Sequence, residues 1–262
     1  MLERVVGALS LLAVGPIGLA TAGDAAAAPG AVVVELFTAQ GCSSCPPAER
    51  ALSRLGTDES TRSRIVPLAY HVDYWNEGGW IDPFGAREWS LRQEAYGRAL
   101  GAGGPYTPQL VVDGRAQFPG GDERRARAEI AGALERSPAV RLGLTARKRE
   151  GQRSEVTIDL TAQATENIPA RKLRVLVALF ENRLTTAVER GENGGRTLES
   201  EYVVRRLETA LSLDPKAGSR KQGSVAFKLD RAWRPENIGV AAFVQDPTSM
   251  RIYGAATLPS LD

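Results

Sequence analysis

Cysteine, histidine and methionine are nearly missing from this 262-residue chain, which holds two cysteines, one histidine and two methionines. Two cysteines are too few for a disulfide-stapled scaffold. A single histidine excludes a His-rich metal centre, and a structural zinc site would need Asp or Glu to complete its ligand set. Charge of one sign is also absent. The 33 Lys+Arg against 31 Asp+Glu leave a net charge of +2, and the 28 arginines are scattered, so the chain lacks the concentrated basic face of a nucleic-acid binder. At 43% hydrophobic residues it is too apolar for a disordered protein.

Long apolar runs are confined to the start. After Arg4, Val5 to Ala20 is apolar but broken by Gly7, Gly15, Pro16 and Gly18, and it ends in the small residues around Ala25–Ala28. A spanning helix needs about 20 uninterrupted apolar residues. Residues 1–28 therefore read as an export signal, with a retained anchor as the alternative. No other segment is a candidate span, and the mature chain is expected in the periplasm or secreted, where a lone cysteine pair can exist as a disulfide.

The remainder divides by pattern. Between residues 31 and 138, apolar runs at Ala31–Phe37, Arg64–His71 and Gln109–Gly114 alternate with helical spacing at Pro47–Leu55, Pro83–Leu100 and Asp122–Arg136. That order predicts a sheet with parallel pairs and helices on its faces, with a helical insertion around residues 74–104. From 139 to 262 the helical signal fades. Val140, Leu142 and Leu144 alternate, as do Val156, Ile158 and Leu160, across a polar turn at 150–154, and further runs lie at Leu173–Phe180, Val225–Leu229 and Ile238–Val244. Short strands separated by turn residues predict an all-β, sandwich-like second domain.

Both cysteines lie three apart, at Cys42 and Cys45, between the first strand and the first helix. A thiol there meets backbone N–H groups and the positive helix end, which favour the thiolate. Cys42 is the expected exposed nucleophile and Cys45 the thiol that resolves a mixed disulfide. Half of a zinc site and an inert structural disulfide share this spacing. Farther along, Thr107-Pro108 stands directly before the third apolar strand.

This order of strand, CxxC, helix and Thr-Pro before a strand resembles the thioredoxin fold. The resemblance implies a cis Pro108 facing the cysteine pair, a Thr107 backbone that pairs with a bound peptide, and no organic cofactor. Gly41 before the first cysteine and Ser43-Ser44 between the pair differ from thioredoxins. More closely, the stretches Val34–Ala48, His71–Trp75, Gly79–Phe84, Tyr106–Gln109 and Gly191–Arg196 are similar to a bacterial secreted family of unknown function with a thioredoxin-like N-terminal domain. An α/β thioredoxin-like domain (31–138) followed by an all-β sandwich-like domain (139–262) is the resulting expectation.

Other residues carry two readings. Glu35 on the first strand is a candidate proton relay for the resolving thiol, although an ungapped alignment puts Leu36 at that place. His71 either relays protons and stabilises the Cys42 thiolate, joins Cys42 and Cys45 in binding copper, or orders the following loop. A hydrolase built on Cys42, His71 and Asp73 is a rarer alternative. Tyr74, Trp75, Trp80, Phe84 and Trp89 form either an apolar wall for a polypeptide or the core of the insertion. Gly191–Arg196 reads as a hairpin tip with Glu192, Asn193 and Arg196 available for docking. The leading functional expectation is thiol–disulfide exchange with exported protein thiols or disulfides; copper handling and non-catalytic binding are the alternatives.

Overall fold

In a computed structural model, residues 30–149 and 152–261 are described, so the expected signal at 1–28 lies outside them, as do Glu150 and Gly151 of the polar turn. The first strand, β1 (Val32–Thr38), is a β-branched apolar run buried along its whole length. Helix α1 (Cys45–Thr57) follows, burying Ala48, Ala51, Leu52 and Leu55 along one stripe. Then come β2 (Ile65–His71), α2 (Arg87–Leu100), β3 (Gln109–Val112) and β4 (Ala116–Pro119). Helix α3 (Glu123–Leu134) begins where the Asp122 side chain accepts from the Arg125 N–H, as its capping position predicts.

The rest of the described chain is β-structure apart from one 3₁₀ turn. In order it forms β5 (Val140–Arg149), β6 (Gln152–Ala164), β7 (Leu173–Glu181), β8 (Leu184–Ala187), β9 (Thr197–Ser200), β10 (Val203–Leu213), β11 (Arg220–Lys228), β12 (Ile238–Gln245) and β13 (Ile252–Leu258). The β5–β6 hairpin is antiparallel, in keeping with its alternating pattern.

Sheet pairing overturns the expected architecture. Eight strands form one mixed sheet in the order β13-β12-β7-β10-β2-β1-β3-β4, beside a three-stranded sheet β11-β6-β5 and the separate β8–β9 hairpin. The chain is mostly β, with three α-helices among the described residues. A thioredoxin-like α/β domain followed by an all-β sandwich-like domain is therefore not its fold, because strands drawn from 31–138 and from 139–262 share one sheet. The join is β10 against β2, parallel, with Val203 opposite Ala69 and the Ala69 N–H donating to the Tyr202 carbonyl at 2.8 Å. Without β10, β2 would present an open edge of unpaired backbone groups.

Layers follow from strand alternation. On β1, Val32, Val34 and Leu36 face α1 and α3, whereas Val33 and Phe37 face α2. The α2 core does not stop at the join: it continues through Phe180, Val204, Ala241 and Phe243. On the opposite face of the distal strands, Val175, Val177, Leu179, Val240 and Ala242 pack with Val156, Ile158 and Leu160 of the three-stranded sheet. At Gly254 of β13 an added Cβ would lie 2.0 Å from the Val140 carbonyl oxygen, so β13 and β5 approach as closely as glycine permits.

A buried ionic group pins α2 across both halves. Arg92, with its side chain 8% exposed, donates from Nε to Glu35 Oε1 at 2.7 Å and from Nη1 to Gln245 Oε1 at 3.1 Å. The Tyr96 hydroxyl donates to Glu35 Oε2 and accepts from Gln245 Nε2 at 2.9 Å. The guanidinium also stands about 5 Å from the ring centres of Tyr70, Tyr96 and Phe243. Removing one partner of such a pair leaves a buried charge uncompensated. Arg92→Ala is expected to cost about 3–5 kcal/mol in urea unfolding at pH 7. Arg92→Met combined with Glu35→Gln recovers most of that loss; a double variant as unstable as Arg92→Ala would contradict this assignment.

Candidate functional site

The site lies at the C-terminal ends of β1 and β2. After Thr38 the backbone turns tightly, with the Cys42 N–H donating to the Ala39 carbonyl and the Cys45 N–H to the Cys42 carbonyl, both at 3.2 Å. Cys45 opens α1 and is joined to Cys42 by a disulfide, with the two Cα atoms 5.4 Å apart. Pro46 and Pro47 occupy the first turn, where missing N–H groups cost no helical hydrogen bond. The Ser44 hydroxyl lies 3.4 Å from Cys42 Sγ.

Exposure runs against expectation at Cys42. Its side chain and that of Cys45 are both fully buried (0% exposed), while Ser43 and Ser44 stand in solvent. Both cysteines belong to the buried cluster on the α2 face, and two segments flank their loop. Trp75 packs beside Gly41, leaving 3.4 Å to the position a Cβ would take, and its indole N–H donates to Thr107 Oγ1 at 2.7 Å. From the other side comes the turn between β8 and β9. Asn193 Nδ2 donates to the carbonyls of Gln40 and Cys42 at 2.8 and 2.9 Å, and Glu192 Oε2 accepts from the Ser43 N–H and hydroxyl at 2.9 and 2.7 Å.

The Thr107–Pro108 peptide bond is cis and precedes β3, whose Gln109 pairs with Phe37 of β1. Pro108 and Ala48 of α1 both lie about 3 Å from where a Gly120 Cβ would be, so both border Gly120. Trp75 thus bridges the cysteine loop and Thr107. Glu35 points elsewhere: both carboxylate oxygens are taken, by Arg92 and Tyr96, on the α2 face.

His71 ends β2 and is fully buried. Its Nδ1 donates to Asp82 Oδ2 at 2.7 Å, and the same oxygen accepts the Gln40 N–H at 2.7 Å. Asp82 Oδ1 accepts the Phe84 N–H at 2.9 Å. Asp82 therefore ties His71 to the loop that carries Cys42. Burial opposes an imidazolium at His71, but the charge and hydrogen bond of Asp82 outweigh it and raise the histidine above its ordinary value of 6.5. Burial likewise opposes the Asp82 carboxylate, and His71 and the two backbone N–H groups overcome it, lowering Asp82 below 3.8. His71 Nε2 is buried without a hydrogen-bond partner, and the Phe84 ring stands edge-on 5.3 Å from the imidazole centre.

Asp82 and Gln40 lie within the family-like stretches Gly79–Phe84 and Val34–Ala48, but sequence reasoning gave neither a role in the site. Asp82 lies eleven residues beyond His71 in an irregular loop, so no periodic pattern marks it. Gln40 is a hub: besides its backbone contacts, its side chain donates to Thr186 Oγ1 at 2.9 Å and accepts from the Trp80 indole at 3.1 Å. Asp73, by contrast, accepts from Ser90 and is not part of this cluster. Among the aromatic residues of 74–89, Trp89 is core, whereas Trp75 and Trp80 serve the site through their N–H groups.

With the two sulfurs bonded to each other, neither is a copper ligand; a Cys42–Cys45–His71 set requires the reduced pair. Among the described residues, no group of three or more His, Cys, Asp or Glu side chains is arranged to hold a metal ion. No described helix is long and apolar enough to cross a membrane.

The family described as "Protein of unknown function (DUF1223)" matches residues 33–245, a span that takes in the cysteine pair, the cis proline and the Asn193 turn. The chain belongs to that family. A crystal structure of an Agrobacterium tumefaciens protein superposes with a TM-score of 0.64 at 31% identity, covering 88% of this chain and 94% of that one. HBP35 of Porphyromonas gingivalis superposes at 0.67 with 16% identity, covering 88% and 76%, and is similar in fold alone. No curated protein matches the chain.

The His71–Asp82 pair predicts a defined pH dependence. A raised histidine value stabilises the folded state fully below about pH 6.5 and loses that contribution as pH rises through the folded value. A lowered aspartate value contributes above about pH 3.8 and is lost as pH falls through its folded value. Stability against thermal unfolding from pH 5 to 9 is therefore expected to fall above pH 6.5, at roughly 1.4 kcal/mol per pH unit while the unfolded state has lost a proton that the folded state still holds. Asp82→Asn should remove that slope and cost about 3 kcal/mol at pH 6. An unchanged slope in Asp82→Asn would assign the titration to another group.

Proposed function

We propose that this chain exchanges disulfides with protein thiols through Cys42 and Cys45, in an exported, periplasmic or secreted setting. The observation that carries the reading is the disulfide at the β1–α1 junction with a cis Thr107–Pro108 joined to the cysteine loop through Trp75. In the oxidising direction a substrate thiolate attacks Cys42 Sγ, the Cys42–Cys45 bond breaks, and Cys45 leaves as the thiolate. A second substrate thiolate then attacks the substrate sulfur of the mixed disulfide and Cys42 leaves, so the substrate gains one disulfide and the protein holds two thiols. The reducing direction is the reverse, with Cys42 attacking and Cys45 resolving.

Position supports these roles. Cys45 is the first residue of a 13-residue helix, whose macrodipole favours a leaving thiolate. Thr107, half-buried before β3, offers backbone to an extended peptide. Glu35 is held by Arg92 and Tyr96 and serves α2 in this reading. His71 acts on the loop through Asp82, as a positioning residue.

Equilibration of the metal-stripped protein with thiol–disulfide buffers, followed by alkylation of free thiols, tests the proposal. A potential between about −270 and −120 mV belongs to exchanging dithiols. A value below about −300 mV belongs to an inert structural disulfide and would overturn it. Cys45→Ser should accumulate a mixed disulfide at Cys42 when given a disulfide-bonded peptide, one peptide thiolate leaving, whereas Cys42→Ser should trap at least tenfold less.

A further inference from the structure

The β8–β9 turn is hydrogen-bonded to the Gln40, Cys42 and Ser43 backbone beside a buried disulfide that exchange requires to be reached. This hairpin is a two-stranded sheet of its own and pairs with none of the eight strands of the main sheet, so it can tilt without breaking a ladder. Val188 and Leu198 of the hairpin are buried, but its tip is Gly191-Glu-Asn-Gly-Gly195, with no apolar side chain. The side chains of the tip are held by polar contacts, and Gly191 lies beside Trp80. Asn193 donates to the Gln40 and Cys42 carbonyls and is itself gripped by Arg196, whose Nη1 donates to Asn193 Oδ1 at 2.7 Å. Gly191 and Gly195 flank the contact residues at φ of +75° and +79°, backbone that side-chain-bearing residues rarely adopt.

Glu192 makes the cover electrostatic as well as steric. Its carboxylate sits on the Ser43 N–H and hydroxyl, the exposed donors next to Cys42. Those donors are the ones an incoming peptide or a Cys42 thiolate would use, and a neighbouring negative charge disfavours the thiolate. We propose that residues 191–196 form a gate, closed in this structure, that lifts from the Gln40–Ser43 backbone to admit a protein thiol to Cys42. The proposal rests on the exchange reading above, but opening is measurable apart from it.

The probe is tris(2-carboxyethyl)phosphine, which reduces any disulfide it can reach. Pseudo-first-order reduction of the oxidised full chain is followed by alkylation, for wild type, Glu192→Ala, Asn193→Ala and Glu199→Ala. Glu192 is exposed and its variant keeps the fold; equal thermal midpoints verify this. Reduction is expected at least fivefold faster in Glu192→Ala and tenfold or more in Asn193→Ala, with Glu199→Ala, exposed on the same hairpin, at the wild-type rate. Wild-type rates in Glu192→Ala would overturn the gate, and so would equal acceleration in Glu199→Ala, which marks general loosening. A potential below about −300 mV with accelerated variants would refute exchange while leaving the gate standing.

Discussion

A guanidinium taken out of water must find its partners inside the protein, and Arg92 finds them on both sides of the central join. Glu35 belongs to β1 and Gln245 to β12, residues 210 apart in sequence, yet both bond the same side chain. Tyr96, one turn along α2, closes the circuit by bonding both. The helix is thus fixed over the seam between early and late strands, and its apolar face can be shared by Phe37, Tyr70, Phe180 and Phe243. An unpaired charge here would be costly enough to rival the net stability of a domain.

The position of α2 sets that of the loop before it. Ala86, the residue that caps the helix, donates its N–H to the His71 carbonyl, and Val72 bridges to it. The loop from Asp73 to Gly85 therefore returns beside the end of β2, bringing Asp82 to His71 and to the Gln40 N–H. Glu49 of α1 extends this polar web to the base of the β8–β9 hairpin, accepting from Thr38 and Ser200 at 2.7 and 2.9 Å. The backbone ahead of Cys42 is consequently fastened by two separate segments, the 73–85 loop through Asp82 and Trp75 and the β8–β9 turn through Asn193. Such a loop is preorganised, and its chemistry depends on what uncovers it.

Local features were legible wherever a few neighbouring residues decide the outcome. β1, β2, β7 and β12 appear in the apolar runs, α1 in its apolar spacing and α3 in its Asp122 cap. β10 was not legible: its Arg205, Arg206 and Glu208 and its two register shifts against β7 blur the alternation that marks a strand. At the site, the cysteine spacing, the Thr-Pro dipeptide and the Gly-rich turn stood out, whereas Asp82 and Gln40, ordinary residues in irregular backbone, did not.

By itself the sequence determined the apolar strands and the helices with clear spacing or caps, the meeting of the cysteine pair with a helix start, and the family, because periodicity, caps and motifs act over a few residues. Only the tertiary structure decided that β10 would close the edge of β2, that Arg92 would join two distant strands, and that Asn193 would cover Cys42. Those outcomes depend on pairing and burial between groups more than a hundred residues apart, such as Ala69 with Val203 and Gln40 with Asn193. Backbone groups and charges left over by local folding must be satisfied somewhere, and where they are satisfied is a property of the whole chain.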